Sequence, residues 1–396
     1  MTLMCNLLLP RFHAPFPRRA YPIKLPHASF KHTKSPLPDV SERAHLPPRV
    51  EWRKRFPAIQ PSVSHRVSLN NPESARLVAS AFVPSTSRDK VIIEAFPGPG
   101  QLTRALLELP KERIKKIIVL EDYPNYLEYL FPLETVDSRV KVLPVPGFNW
   151  DSYTHIDELK LLDDVPKVAW EDGIHPQLHF ISHLPSTVEG EQLVAQLFRS
   201  IPDQQWLFQY GRVPMSFVLS DYLWKRISSP ISTNERCKLT VIAEATSMCS
   251  PAVPPQALLP YATHFHPARP LNPDKERKFS SRRVGNPFQA VNTYPLEDQA
   301  IKKGQLDYWD FCLRRLFVLK ATSLAKAIPP LAPGAQTLIK MVTDPDLPLS
   351  ETLNIEKAPR SLTVEEWKIL VKAFHEWPFA PEDLSIGDTF VTKERG

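Results

Sequence analysis

The stretch Glu94-Ala95-Phe96-Pro97-Gly98-Pro99-Gly100-Gln101-Leu102-Thr103 follows directly on a short apolar run, Val91 to Ile93. Such a run, stopped by Pro and Gly, reads as a buried strand, and Gly100 to Leu109 reads as the helix after it. A glycine turn between strand and helix lets a ligand approach the backbone closely, which makes Gly98 and Gly100 candidate contact points. A second apolar run, Ile117 to Leu120, ends on Glu121, 21 residues after Gly100. A carboxylate there is placed to accept hydrogen bonds from ribose hydroxyls. The pair suits a nicotinamide dinucleotide or S-adenosylmethionine. A Gly-Pro turn can also serve the backbone alone.

These residues need a sheet to hold them. Val140 to Leu143 reads as a third strand and Leu178 to Ser182 as a fourth, followed by a helical Glu189 to Ser200. Helices are also expected from Ser74 and over Tyr126 to Leu130. Gln205 to Tyr210, Val213 to Trp224 and Lys238 to Thr246 continue the alternation, which predicts a parallel, doubly wound α/β sheet. From Pro251 to Pro295 the chain reads as an irregular connection with one strand near Phe288 to Thr293. Beyond it the pattern turns helical. Asp307 to Lys320 carries Tyr308, Phe311, Leu316 and Leu319. Thr363 to Glu366 has the form of a capping box, and the helix behind it lines up Trp367, Leu370, Val371, Phe374 and Trp377 as a core stripe.

Composition narrows the class. The 396 residues are 42% hydrophobic and 23% charged, as in a globular protein, with 43 Pro against 11 Gly. The four cysteines (Cys5, Cys237, Cys249, Cys312) lack the spacing of a zinc site or a disulfide framework and suit a reducing interior. No apolar run approaches the length of a membrane span. Residues 1–38 contain six basic side chains and no acidic one, the composition of a mitochondrial transit peptide. That leader accounts for the whole formal charge of +6, so nucleic-acid binding has to come from local clusters. One is Arg49 to Arg55. Another runs from Arg269 to Arg283 and includes Lys278 and Arg282. The expected organisation is a leader (1–38), a Pro-rich linker (39–64), an α/β domain (65–295), a helical domain (296–380) and a tail (381–396).

The segment from Glu94 to Thr103 resembles the S-adenosylmethionine motif of the rRNA adenine dimethyltransferases, Glu-x-Gly-x-Gly-x-Gly-x-Leu-Thr, and Leu120-Glu121-Asp122 resembles their second motif. Three further segments are similar to one branch, the fungal mitochondrial transcription factors of the B family. They are Trp206 to Met215 (WLFQYGRVPM), Arg236 to Val241 (RCKLTV) with Glu244-Ala245, and Glu376 to Pro381 (EWPFAP). The likeness covers roughly residues 65 to 385. It implies an S-adenosylmethionine-dependent methyltransferase-like fold with a small C-terminal helical domain.

The departures from the enzyme pattern fall at three separate points. Phe96 stands where the first glycine of the motif would be. Gly147 is followed by Phe148 instead of the Asp that holds the adenine amine. The catalytic Asn-Leu-Pro-aromatic motif aligns with His183-Leu184-Pro185-Ser186, which lacks both the amide acceptor and the stacking ring. The resemblance therefore implies a specificity partner of the mitochondrial RNA polymerase in the mitochondrial matrix. Its expected job is promoter recognition and melting, with Gly98, Gly100 and Glu121 as remnants of a cofactor site. The alternatives are an active mitochondrial rRNA adenine N6-dimethyltransferase using S-adenosylmethionine and a noncatalytic rRNA-binding factor. Phe148 and Trp150, at the end of the third strand, are expected either to stack on unpaired promoter bases or to be core aromatics. Arg269, Lys278, Arg282 and Arg283 are expected to meet phosphates.

Overall fold

The computed structural model describes residues 44–268 and 284–384. Its frame is a seven-stranded sheet in the order β4-β3-β2-β5-β6-β9-β7. In chain order the strands are β1 (Ser68–Leu69), β2 (Lys90–Ala95), β3 (Ile114–Leu120), β4 (Val140–Leu143), β5 (Leu178–His183), β6 (Met215–Ser220), β7 (Ser247–Pro251), β8 (Phe265–His266) and β9 (Phe288–Pro295). The five strands from β4 to β6 in this order are parallel. β9 runs antiparallel to both β6 and β7, so the sheet is mixed, which corrects the expectation of a parallel one. β1 and β8 form a separate antiparallel pair.

The principal helices are α1 (Pro72–Phe82), α2 (Gln101–Leu107), α3 (Pro124–Val136), α4 (Trp150–Glu158), α5 (Val188–Ser200), α6 (Asp221–Ser228), α7 (Lys238–Thr246), α8 (Leu306–Leu316), α9 (Thr337–Val342) and α10 (Val364–Glu376). Neighbouring residues of one strand belong to opposite cores. Val91 and Ile93 lie in one, and Ile92 lies in the other. A strand buried on both faces reads as an unbroken apolar run, which is why β2 and β3 are visible in the sequence. The core around Ile92 takes in Val78 of α1, Leu102 of α2 and Leu130 of α3. The core around Val91 takes in α4, α5 and α7, and continues without a break into α8 and α10.

The stretch read as a linker, 39–64, is structured from Ala44 onward and belongs to the core. Trp52 and Phe56 are each 1% exposed and meet edge to face at 5.1 Å. Trp52 Nε1 donates to the Pro47 carbonyl at 3.0 Å. Prolines here shape packed backbone, so a high proline density did not mark a linker.

The capping box at Thr363 and Glu366 is formed from both sides. Its helix buries Trp367, Leu370, Val371 and Phe374, and Trp377 just past its end is buried as well. Phe374 stacks on Phe311 at 5.1 Å, and Trp367 on Phe317 at 5.6 Å. Polar ties join this region to the sheet layer. Arg236 grips Glu244 through two bonds, 2.8 and 2.7 Å, and its Nη2 also donates to the Leu362 carbonyl. Asp310 of α8 pairs with Arg199 of α5, Lys238 of α7 and Arg314.

Candidate functional site

The chain winds outward from β2 through β3 to β4, then returns to place β5 on the other side of β2. The crevice at the carboxyl ends of strands around such a reversal is where doubly wound sheets bind ligands. The sequence-derived residues converge there. Ala95 pairs with Leu120 on one side and Ser182 on the other, so the glycine turn, Glu121 and His183 leave the sheet at one level.

Gly98 and Gly100 adopt φ of +63° and +86°, in the left-handed region. Phe96 sits at φ +59°, a conformation that suits glycine and strains a bulky side chain by roughly 1–3 kcal/mol. The bare faces of the two glycines are already filled. A Cβ on Gly98 would stand 2.2 Å from Ser68 Oγ, and one on Gly100 would stand 2.5 Å from Leu130 Cδ2. Behind the turn, Glu94 is 1% exposed and accepts from Thr103 Oγ1 at 2.7 Å. Burial pushes its carboxyl up to about 7, against the pull of that bond and of Arg104.

Glu121 is 1% exposed and fully engaged. Its Oε2 accepts from Arg66 Nη2 at 2.5 Å and from the Gly98 amide at 3.3 Å. Its Oε1 accepts from Arg66 Nη1 at 3.3 Å and from the Asp122 and Tyr123 amides at 3.1 Å each. The Arg66 guanidinium lies over the rings of Phe96, at 4.9 Å, and Tyr126, at 5.6 Å. Burial pulls the Arg66 pKa down, but Glu121 with Tyr126 and Asp122 outweighs it and keeps the guanidinium charged, while burial raises the Glu121 carboxyl against the pull of Arg66. A buried pair of this kind holds its charge because each partner answers the other's desolvation.

Outside this pair lies a cavity of about 560 Å³ lined by Gln60, His65, Arg66, Phe96, Tyr123, Phe148, Asn149 and Pro185 among others. His183 is not among its lining residues. It is 3% exposed, with its ring 6.2 Å from Phe265 and 5.9 Å from Phe288. Burial, with Arg66 nearby, pushes its pKa down to about 3, so the ring is neutral. Leu184 is buried, and its amide donates to the Val218 carbonyl. The Ser186 amide donates to the His65 carbonyl at 3.0 Å. Pro185 alone of the four lines the cavity. Phe148 lines it too and is half-buried. Trp150, one residue beyond the cavity-lining Asn149, is 43% exposed and meets Trp206 edge-on at 4.6 Å.

The model of the ribosomal RNA adenine dimethylase family matches residues 69–372. The chain belongs to this family. It is similar to mitochondrial transcription factor 1 of Saccharomyces paradoxus, with 26% identity over 313 residues that cover 77% of this chain and 86% of that one. It is similar to mitochondrial dimethyladenosine transferase 1 of Caenorhabditis elegans, with 28% identity over 162 residues, 39% of this chain and 40% of that one. A solved dimethyladenosine transferase from Plasmodium falciparum aligns with a TM-score of 0.49 and 14% identity, over 78% of this chain and 97% of that one.

Within the family frame, the residues present do not fit S-adenosylmethionine. Glu121, expected as the ribose acceptor, is taken by Arg66; the approach to Gly98 is covered by Ser68; and Phe96 stands where the first motif glycine is expected. Arg66 and Ser68 were not singled out from the sequence. The basic residues Arg269, Lys278, Arg282 and Arg283 lie outside the described residues, as does the tail beyond residue 384. Among the described residues no cluster of His, Cys, Asp and Glu could hold a metal, and no helix is long and apolar enough to cross a membrane.

Proposed function

We propose that this chain is a mitochondrial transcription initiation factor that gives the mitochondrial RNA polymerase promoter recognition and helps it hold melted DNA. The observation that carries the reading is the contrast at the reversal point. The Glu121 and Gly98 positions are closed by Arg66 and Ser68, while the cavity on the far side of Arg66 and Phe96, lined also by Phe148 and Asn149, remains open, and Trp150, the next residue in the chain, is exposed. A methyltransferase needs both parts. A protein that holds unpaired bases needs only the outer one, because aromatic faces stack any base, at about 1–3 kcal/mol each.

The similarity to mitochondrial transcription factor 1 over most of both chains supports the same reading. The basic run from Arg269 to Arg283, with Lys278 and Arg282, adds phosphate contacts that fix register without reading sequence. The acid-free leader of residues 1–38 supports delivery to the mitochondrial matrix.

The competing reading is an rRNA adenine N6-dimethyltransferase, favoured by the family's enzymes and by the survival of Gly98, Gly100 and Glu121. One experiment separates the two. The chain is mixed with the mitochondrial RNA polymerase and promoter DNA in one arm, and with tritiated S-adenosylmethionine and a small-subunit rRNA hairpin in the other. Promoter-specific transcripts without label transfer are the expected result. Label on the hairpin without any gain in transcription would overturn the proposal.

A further inference from the structure

We propose that Arg66 and Ser68 are an internal substitute for the family's cofactor: this chain carries the occupant of that site in its own side chains, and adenosyl ligands are shut out by it. Three contacts converge on this. Both oxygens of Glu121 are used, each by Arg66 and by one or more backbone amides, so no acceptor is left for a ribose diol. The open face that a glycine gives a ligand at Gly98 is covered by Ser68 Oγ. The Arg66 guanidinium lies over the ring of Phe96, the residue that stands in place of the first glycine, 4.9 Å from its centroid, so the two block neighbouring parts of the site together.

The substitute is held in place from both ends. Ser68 and Leu69 pair with His266 and Phe265, and the Ser186 amide bonds to the His65 carbonyl just before Arg66. A strap fixed in this way loses little further entropy when it fills the site, whereas a free ligand must give up its translational freedom. The arrangement also explains why a buried acid survives without a cofactor. Glu121 neutralises a guanidinium, and either group alone would be a buried, uncompensated charge. The inference stands apart from the promoter reading, since the closure would hold equally in a noncatalytic RNA-binding protein.

The test is calorimetric titration with S-adenosylhomocysteine on the full chain and on Phe96→Gly, Arg66→Ala and Arg66→Ala/Phe96→Gly. The wild type and Phe96→Gly should give no binding heat. The double variant, checked for native circular dichroism, should bind at least about tenfold more tightly than either. Binding by the wild type, equal binding by Phe96→Gly and the double variant, or a folded double variant that does not bind would each overturn the proposal. Should the double variant not fold, the wild-type melting temperature decides. No change in about 1 mM S-adenosylhomocysteine upholds the closure, and a rise of several degrees contradicts it.

Discussion

Trp150 rests edge-on against Trp206, ring centroids 4.6 Å apart, and still leaves 43% of its surface in solvent. Trp206 is itself braced by Tyr153 at 4.3 Å. An aromatic side chain held on one edge and open on the other is suited to stack a partner at little ordering cost. Trp150→Ala should therefore change stability by less than about 1 kcal/mol and weaken binding of a single-stranded oligonucleotide by about 1–3 kcal/mol. Fluorescence anisotropy and urea unfolding on the same samples check both halves. Unchanged oligonucleotide affinity would remove Trp150 from the interface.

Asp310 ties the helical region to the sheet layer. It is 4% exposed, while its partners Arg199, Lys238 and Arg314 are each about one-third exposed. Removing its charge leaves three cations around a buried amide. Because the cations can turn to water, the loss in Asp310→Asn should be about 2–3 kcal/mol, below that of a fully buried pair. The shift of the urea midpoint measures it. A loss under about 0.5 kcal/mol would mean that the apolar core shared by α5, α7, α8 and α10, with the Arg236 tie to Leu362, holds the region without it.

Glu94 gives a pH dependence of definite sign. Burial raises its carboxyl from 4.5 to about 7 in the folded chain. Between those values the folded state keeps a proton that the unfolded state has lost. Stability therefore falls as pH rises through that window and levels off above it. Glutamine cannot lose the proton, so Glu94→Gln should be more stable than wild type by roughly 2–3 kcal/mol at about pH 8 and equal to it near pH 4. Urea titrations at the two pH values check this. The same difference at both would show that ionisation of Glu94 plays no part.

The basic run from Arg269 to Arg283 is proposed to meet phosphates through charge. If Arg282 and Arg283 each neutralise one phosphate, Arg282→Ala/Arg283→Ala should reduce the slope of log affinity against log salt by about 1–2 on promoter duplex. It should weaken specific and nonspecific DNA alike. An unchanged slope would place both side chains away from DNA.

What the sequence made legible follows from how far each signal reaches. β2, β3 and the box at Thr363 and Glu366 are local patterns, apolar runs or a four-residue motif, and they appear where expected. The convergence of Gly98, Gly100 and Glu121 was readable because a strand-turn-helix spacing carries it. β7 was not, since Ser247 to Pro251 has no apolar alternation and is a strand only through pairing with β9. The closure of the site was also out of reach. Arg66 lies 55 residues from Glu121 in a stretch without periodicity, and nothing local marks an arginine that will end in a buried ion pair. His183 could be aligned with the catalytic position. Only the fold shows that its ring packs near Phe265 and Phe288 and does not line the cavity.

The central claim is that Phe148 and Trp150 act on melted promoter DNA. The most direct measurement is the yield of start-specific transcripts from duplex and from premelted promoters, with the mitochondrial RNA polymerase and either the wild type or Phe148→Ala/Trp150→Ala. The double variant should lose about tenfold or more on duplex and remain near wild type on the premelted template. Equal loss on both templates, or no loss on duplex, would contradict the account.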